Sequence, residues 1–226
     1  MTRLLSIETS GTTCGVSVSV DGILSSMSEV YRPNVHAEQL ERCLQNALAT
    51  SALTIADINV VAVSAGPGSF TGLRIGLSFA KGLCFDGTTA LLGVDTLESL
   101  AWASREVAIS AGHDMVHCLI PSHRDLFYVG SYTVTHEGIT ARHFNDIVEL
   151  VTLHECRKRT TTGLLCGPGA PFLSPSPISG LTRLSSRFVA LAAWRSLQAH
   201  PKTFDDVMTF EPLYRQEWTA PSTSPK

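Results

Sequence analysis

The chain has 226 residues, enough for one large domain or two small ones, each with a hydrophobic core. Lysine and arginine total 17 against 20 aspartates and glutamates, and the net charge of −3 argues against a protein that binds nucleic acid unaided. Only 16% of residues are charged and the mean hydropathy is +0.15, so we expect a partner to cover part of the apolar surface.

The N-terminal segment lacks the features of a signal peptide. Glu8 interrupts the part that would have to be apolar, and no run of roughly 18 apolar residues follows elsewhere. We therefore expect a soluble cytoplasmic protein. The six cysteines form no C-x-x-C pair, so we interpret them as small buried residues rather than as metal ligands or disulfide partners.

The first half of the chain predicts an alternation of strands and helices. Short apolar or alternating runs predict strands at 4–9, 15–20, 23–31, 60–63 and 90–94. Apolar residues at helical spacing predict helices at 36–52 and 69–85. Asp95, followed three residues later by Glu98, predicts the N-cap of a third helix that ends near Ser104. This order indicates an α/β protein.

The second half repeats this order in a shorter form. Strands are predicted at 115–120, 126–135, 139–144 and 164–166, with a weak helix ending near Arg159. Prolines predict a loop at 174–180, Ser185 or Ser186 predicts the cap of a last helix at 187–199, and a disordered tail is predicted at 217–226. The repeat of Gly66-Pro67-Gly68 as Gly167-Pro168-Gly169, at the matching position, indicates an internal duplication.

Small residues line one face of the second predicted helix. They recur every four residues, as Gly68, Gly72, Gly76, Ala80 and Cys84. Glycine inside a helix costs about 1 kcal/mol relative to alanine, so this glycine ridge indicates the close approach of another helix. That neighbour is either the first helix of the same chain or a helix of a second protein.

Two loops have features of anion-binding sites. Glu8-Thr9-Ser10-Gly11 joins the first two strands and is either an ordinary turn or a loop that holds a metal-bound phosphate. Gly66-Pro67-Gly68-Ser69 leads from a strand into a helix N-terminus, where free N–H groups favour an anion. This second loop has no lysine in the position of a P-loop lysine, so it supports nucleotide binding only weakly.

Two histidine segments are similar to parts of metal sites. The segment from His154 to Lys158 begins like H-E-x-x-H but has lysine in place of the second histidine, and His36 is followed four residues later by Leu40. One imidazole on a helix does not complete a zinc site, so we interpret both histidines as surface or capping residues. We predict no metal site and no catalytic residue.

Longer motifs carry a resemblance to a known family. The most specific runs from Ala65 to Gly76 as AGPGSFTGLRIG, and further matches lie at 5–10, 36–40, 93–101 and 211–215. Together they resemble the bacterial TsaB (YeaZ) family, the non-catalytic subunit of the machinery that makes threonylcarbamoyladenosine in tRNA. The resemblance is strong over residues 1–104 and patchy beyond. One departure is the segment from Pro121 to Asp125, where many relatives have an Asp-Ala-Arg motif.

The resemblance implies an α/β fold of the actin-like ATPase (ASKHA) superfamily, with two RNase H-like lobes of which the second is abbreviated. The first lobe would comprise residues 1–104 and about 185–216, which include the closing C-terminal helix. The second lobe would comprise residues 105–184. This architecture agrees with the repeated order of strands and helices predicted above.

The resemblance also implies a non-catalytic scaffold that binds the TsaD transferase. TsaD transfers threonylcarbamoyl to adenosine 37 of tRNAs that read codons beginning with A, and the TsaE ATPase joins the complex. In TsaD an H-x-x-x-H pair holds a metal, whereas the matching positions here are His36 and Leu40. We expect no cofactor for this chain, a homodimer when it is alone and tRNA contact only through the complex. Nucleotide binding at the complex interface stays open.

Family members associate through their first two helices, which favours the intermolecular interpretation of the glycine ridge. The expected interface residues are His36, Leu40, Cys43, Gly72, Leu73, Gly76, Leu77 and Ala80. A bulky residue at Gly76 would then abolish association and leave the monomer folded. Glu8, Thr9, Ser10 and Gly11 would form a vestigial phosphate loop.

Two alternative functions remain. In the first, the chain is a stand-alone actin-like ATPase or small-molecule kinase that uses Glu8, Thr9, Ser10 and Gly11 around a nucleotide phosphate. In the second, it is a metalloprotease.

Overall fold

The computed structural model of the chain describes residues 1–141, 149–201 and 203–213. The strands are β1 Arg3–Glu8, β2 Thr13–Val20, β3 Ile23–Tyr31, β4 Val60–Gly66, β5 Ala90–Asp95, β6 Met115–Pro121, β7 Leu126–Val134, β8 Ile139–Ala141, β9 Glu149–Thr152 and β10 Leu164–Cys166. The helices are α1 His36–Ser51, α2 Phe70–Leu83, α3 Thr96–Ser110, α4 Leu153–Arg159 and α5 Ser186–Ala199.

The strands form two sheets of related topology. The first has the order β3-β2-β1-β4-β5, in which β1, β2 and β3 are antiparallel neighbours and β4 runs parallel to β1. The second has the order β10-β6-β7-β8, with β9 also paired to β7, and β10 runs parallel to β6. Thus β10, β6, β7 and β8 repeat the arrangement of β4, β1, β2 and β3. Within the described residues, the second sheet has no counterpart of β5.

Helices cover both faces of the first sheet. Val16 and Val61 point toward α1 and α2, whereas Leu4 and Leu92 pack with Val189 of α5. This alternation of neighbouring strand residues between two apolar layers explains the uninterrupted apolar sequence of the central strands. Because α3 contacts α5 as well as β6 and β7, it joins the two lobes.

A C-terminal segment protects the outer edge of β5. The Asp205 N–H donates to the Leu91 carbonyl at 2.9 Å, and the Asp205 carboxylate accepts from the Gly93 N–H at 2.7 Å. Farther along, the Leu213 N–H donates to the Ala65 carbonyl at 2.7 Å. The segment therefore occupies an edge that would otherwise present unpaired backbone groups.

Side-chain caps fix the starts of three helices. Ser69 Oγ accepts from the Gly72 N–H, Asp95 Oδ1 accepts from two N–H groups of α3, and Ser185 Oγ accepts from the Arg187 N–H. The caps predicted at Asp95 and Ser185 are confirmed. The end predicted for α3 at Ser104 is wrong, because the helix runs to Ser110 and buries Ala108 against the second sheet.

The second lobe differs more from the sequence prediction. Its third strand begins at Ile139 as expected, but residues 142–144 of that predicted strand lie outside the described residues. Strand β9 was missed, and it pairs antiparallel with β7 just before the capping box of Thr152 and Glu155 starts α4. The loop predicted at 174–180 ends in a short 3-10 helix, Ser179–Leu181. The predicted disordered tail also lies outside the described residues.

The six cysteines are all buried thiols, as predicted. Cys118 and Cys166 lie opposite each other on β6 and β10, with 3.3 Å between their sulfur atoms. Across the part of the chain described, we find no helix with both the length and the apolar character needed to cross a bilayer.

Candidate functional site in the cleft between the lobes

A cleft of about 700 Å³ opens between the two lobes. The first lobe contributes the loop after β1 and the N-terminus of α2, and the second contributes the end of β6 and the turn after β10. Each lobe therefore presents the end of its first strand and its Gly-Pro-Gly turn. This symmetry follows from the shared strand order, since parallel strands end at the same edge of a sheet.

The predicted phosphate loop is divided between the cleft and the core. Ser10 and Gly11 line the cleft, whereas Glu8 and Thr9 are buried behind it. Glu8 Oε1 accepts hydrogen bonds from Ser10 N and Ser10 Oγ, both at 2.6 Å. Thr9 Oγ1 donates to the Gly72 carbonyl at 2.8 Å. Glu8 and Thr9 thus hold the loop in place and do not face a ligand in the cleft.

Burial raises the pKa of Glu8 to about 7. Loss of hydration is the largest cause, the two hydrogen bonds from Ser10 lower the pKa, and the charge of Glu29 raises it further. The nearby Ser64 hydroxyl favours the ionised form slightly, yet Glu8 Oε2 makes no hydrogen bond with any described residue. A neutral carboxyl is therefore well populated near pH 7.

The glycine ridge packs against the same loop. A Cβ atom on Gly72 would overlap the Thr9 carbonyl oxygen, and one on Gly76 would overlap Thr9 Oγ1. A Cβ atom on Gly68 would likewise meet Ser10. The prediction that the ridge receives a helix is wrong, because backbone and side-chain atoms of Thr9 and Ser10 fill that space. A bulky residue at Gly76 would disrupt the fold of the monomer itself, so the expected effect of that substitution is corrected too.

The expected interface residues all lie inside the monomer. Leu40, Cys43, Leu73, Leu77 and Ala80 are at most 6% exposed. His36, Gly72 and Gly76 are buried as well. These residues lie on the buried sides of α1 and α2, so they do not form an exposed surface in this structure. Their assignment to a partner interface stays a prediction.

A neighbouring strip of α2 faces outward. We call Ile75, Phe79 and Gly82 the outer face of α2, and Phe85 follows it with 77% exposure. A Cβ atom on Gly82 would meet no atom within 4 Å, which contrasts with the crowding at Gly72. This strip was missed at the level of sequence because the glycine ridge dominated the pattern. The signal was present as an apolar pair, Ile75 and Phe79, one helical turn apart.

The two histidines singled out by sequence have different positions. His154 is exposed, as predicted. His36 is buried, and its Nε2 donates to the Thr13 carbonyl at 3.1 Å, which ties the start of α1 to β2. The surface interpretation of His36 is therefore wrong. Among the described residues, no group of three or more His, Cys, Asp or Glu side chains has metal-binding geometry.

The cleft lining mixes polar and apolar residues and carries few charges. Among the described lining residues, none is Asp, Glu, Lys or Arg, and the titratable side chains are His36, His123 and Tyr128. His123 and Ser122 belong to the divergent Pro121–Asp125 segment, which forms the turn from β6 to β7. The walls therefore offer hydroxyl and backbone groups to a ligand, without a carboxylate to hold a cation or a guanidinium to hold phosphate.

Two lobes with this repeated strand order around one cleft define the actin-like ATPase (ASKHA) fold. A family model described as TsaD, tRNA N6-adenosine threonylcarbamoyltransferase, matches residues 32–143. The solved structure titled YeaZ from Pseudomonas aeruginosa covers 95% of this chain and 100% of that one, with a TM-score of 0.75 and 20% identity. These findings confirm the predicted fold class.

Two curated relatives are named tRNA threonylcarbamoyladenosine biosynthesis protein TsaB. The one from Escherichia coli is 37% identical over 99 residues, which cover 44% of this chain and 42% of the relative. The one from Haemophilus influenzae is 30% identical over 104 residues, which cover 46% and 44%. The match thus spans less than half the length of these relatives. Over this part of its length the chain is thus similar to proteins named TsaB, and its fold is similar to that of YeaZ.

Proposed function

We propose that this chain is a non-catalytic scaffold that binds a TsaD transferase and is required for N6-threonylcarbamoylation of adenosine 37 in tRNAs reading codons that begin with A. The observation that carries the proposal is the similarity to proteins named for tRNA threonylcarbamoyladenosine biosynthesis. In this proposal TsaE joins the complex in the cytoplasm, tRNA is reached through the complex, and the free chain forms a homodimer.

The composition of the cleft supports a scaffold over a stand-alone ATPase or kinase. Phosphoryl transfer depends on cations, held by carboxylates or supplied by lysine and arginine, that neutralise charge on the transferred group. None of these side chains is among the described lining residues. Glu8, the acidic residue nearest to the loop, is turned inward and bonded to Ser10.

The outer face of α2 is the surface we assign to the partner. Ile75 and Phe79 are partly exposed although they pack against the first-lobe core, so a partner would complete their burial. Gly82 leaves open space between them and the exposed Phe85 ring, which permits the close approach of a helix backbone. This placement lies on α2, as the family resemblance implies, but on residues different from those expected.

The test is reconstituted tRNA modification by TsaD with and without this chain, together with co-purification of the two proteins. Gly82→Arg adds a bulky cation to the outer face, and Gln198→Arg adds the same side chain to α5 on the opposite side of the first sheet. We expect Gly82→Arg to reduce TsaD binding and modification at least tenfold and Gln198→Arg to change neither. Full modification without this chain, or turnover of ATP by the chain alone, would refute the scaffold role.

A further inference from the structure

A second concavity lies on the surface at the start of α5. It has a volume of about 510 Å³ and is lined by side chains from β3, from the short helix Ser179–Leu181 and from the first turn of α5. Among them are Tyr31, Arg183 and Arg187. It shares only Leu184 with the described lining of the cleft between the lobes, so it is a separate site.

The two arginines are exposed and held by aromatic rings. The guanidinium of Arg183 lies 5.1 Å from the centre of the Tyr31 ring, and that of Arg187 lies 4.9 Å from the centre of the Phe188 ring. Such stacking restrains a guanidinium and leaves its N–H edges free to donate. Neither arginine forms an ion pair with a carboxylate among the described residues. Both arginines line the pocket together with Tyr31.

The carboxylate of Glu29, which is bonded to Tyr31, is already satisfied by other donors. Its Oε1 accepts from Ser185 Oγ at 2.8 Å, Ser186 N at 2.7 Å and Ser186 Oγ at 2.8 Å. Its Oε2 accepts from the Tyr31 hydroxyl at 2.6 Å, and this contact helps raise the pKa of Tyr31 to about 12. Tyr31 therefore stays neutral and bonded to Glu29. These contacts occupy donors at the start of α5, and no carboxylate among the described residues pairs with the two guanidiniums.

We propose that this concavity, which we call the arginine pocket, binds a phosphate group between Arg183 and Arg187. Guanidinium matches phosphate because its parallel N–H groups can bind two oxygens of the same anion. Stacking has already restrained both side chains, so less conformational entropy is lost on binding. The phosphate belongs to an RNA backbone or to a small phosphorylated molecule. This proposal does not depend on the scaffold function.

The test compares a double variant with a matched control in the full-length chain. Arg183→Gln with Arg187→Gln removes both charges of the pocket. The control, Arg195→Gln, removes one charge from α5, the helix that also carries Arg187. Arg195 stacks on the Trp102 ring but lies outside the pocket. Binding of a fluorescein-labelled 12-nucleotide RNA is measured by anisotropy at several salt concentrations, and binding of inorganic phosphate is measured by calorimetry.

For an RNA phosphate, we expect the double variant to bind RNA at least tenfold more weakly. The slope of log affinity against log salt should fall by about 1.4, because two single-strand phosphate contacts are lost. For a small phosphorylated molecule, the double variant should lose inorganic phosphate binding while RNA binding stays unchanged. Replacing both residues by lysine should keep the salt slope but lower the affinity. The proposal is overturned if the double variant changes neither measurement, or if Arg195→Gln has the same effect.

Discussion

The two Gly-Pro-Gly turns have similar backbone conformations and hydrogen bonds, but different structures follow them. Gly66 and Gly167 both have positive φ angles, of 115° and 88°, and each follows a strand that runs parallel to the first strand of its sheet. After the first turn, the Ser69 N–H donates to the Ser10 carbonyl at 2.7 Å. After the second, the Gly169 N–H donates to the Leu119 carbonyl at 2.9 Å. In both lobes the turn brings the next segment against the end of the first strand.

The residues after each turn decide whether a helix forms. In the first lobe Ser69 caps α2, which continues for 14 residues and provides the outer face. In the second lobe Pro171 lies within a 3-10 helix of three residues, Ala170–Phe172, and more prolines come after it. Each turn therefore directs the backbone toward the first strand of its lobe, and the residues beyond the turn determine whether a long helix follows.

The largest expected effect on stability comes from adding one methyl group to α2, at Gly72. Gly72→Ala places its Cβ on the Thr9 carbonyl oxygen, so either α2 or the loop must shift. We expect the free energy of unfolding to fall by about 3 kcal/mol, near the upper end for overpacking. Gly169→Ala meets the Leu119 side chain at 2.7 Å and should cost less. Urea unfolding of both variants tests the order, and equal losses would mean that the Gly72 and Gly169 positions are equally crowded.

The second effect is a pH dependence of stability that comes from Glu8, which ends β1 where the equivalent strand β6 ends in Pro121. The pKa of Glu8 is about 7 in the folded chain against 4.5 as a reference, so the folded state binds more protons between these values. Its contribution to stability therefore falls as pH rises from about 4.5 to 7 and then levels off. The change is about 3 kcal/mol, because one pKa unit corresponds to about 1.4 kcal/mol.

The check is urea unfolding of the unsubstituted chain and of Glu8→Gln between pH 4.5 and 8. The glutamine variant lacks the titrating group, so it should gain stability relative to the unsubstituted chain as pH rises. A constant difference between the two proteins across this range would show that Glu8 does not titrate in the way its burial implies.

The smallest effect is a gain in stability from filling the open space beside Gly82, near the C-terminal end of α2. Gly82→Ala adds a methyl group where no atom lies within 4 Å, and alanine favours the helix over glycine. We expect the free energy of unfolding to rise by about 0.5 to 1 kcal/mol, measured in the same urea series as Gly72→Ala. A loss of stability would place a neighbour over Gly82 and remove it from the outer face.

Local signals explain what the sequence predicted well. The strand order, the repeat, the Asp95 and Ser185 caps and the start of α2 all depend on residues within a few positions of each other. Contacts distant in sequence explain the errors. Nothing near Gly72 in the sequence indicates that Thr9, 63 residues earlier, fills the space above it. Likewise, the burial of His36 depends on Thr13, and the length of α3 depends on the second sheet.

The position of α5 after the second lobe in the sequence has a consequence for biosynthesis. During translation, β1, β4 and β5 leave the ribosome long before the residues that cover Leu4, Val60 and Leu92. Until α5 emerges, that apolar face is bare in the nascent chain and open to chaperones or to aggregation. The first lobe therefore begins folding before the second lobe is made and is completed only after α5 has been made.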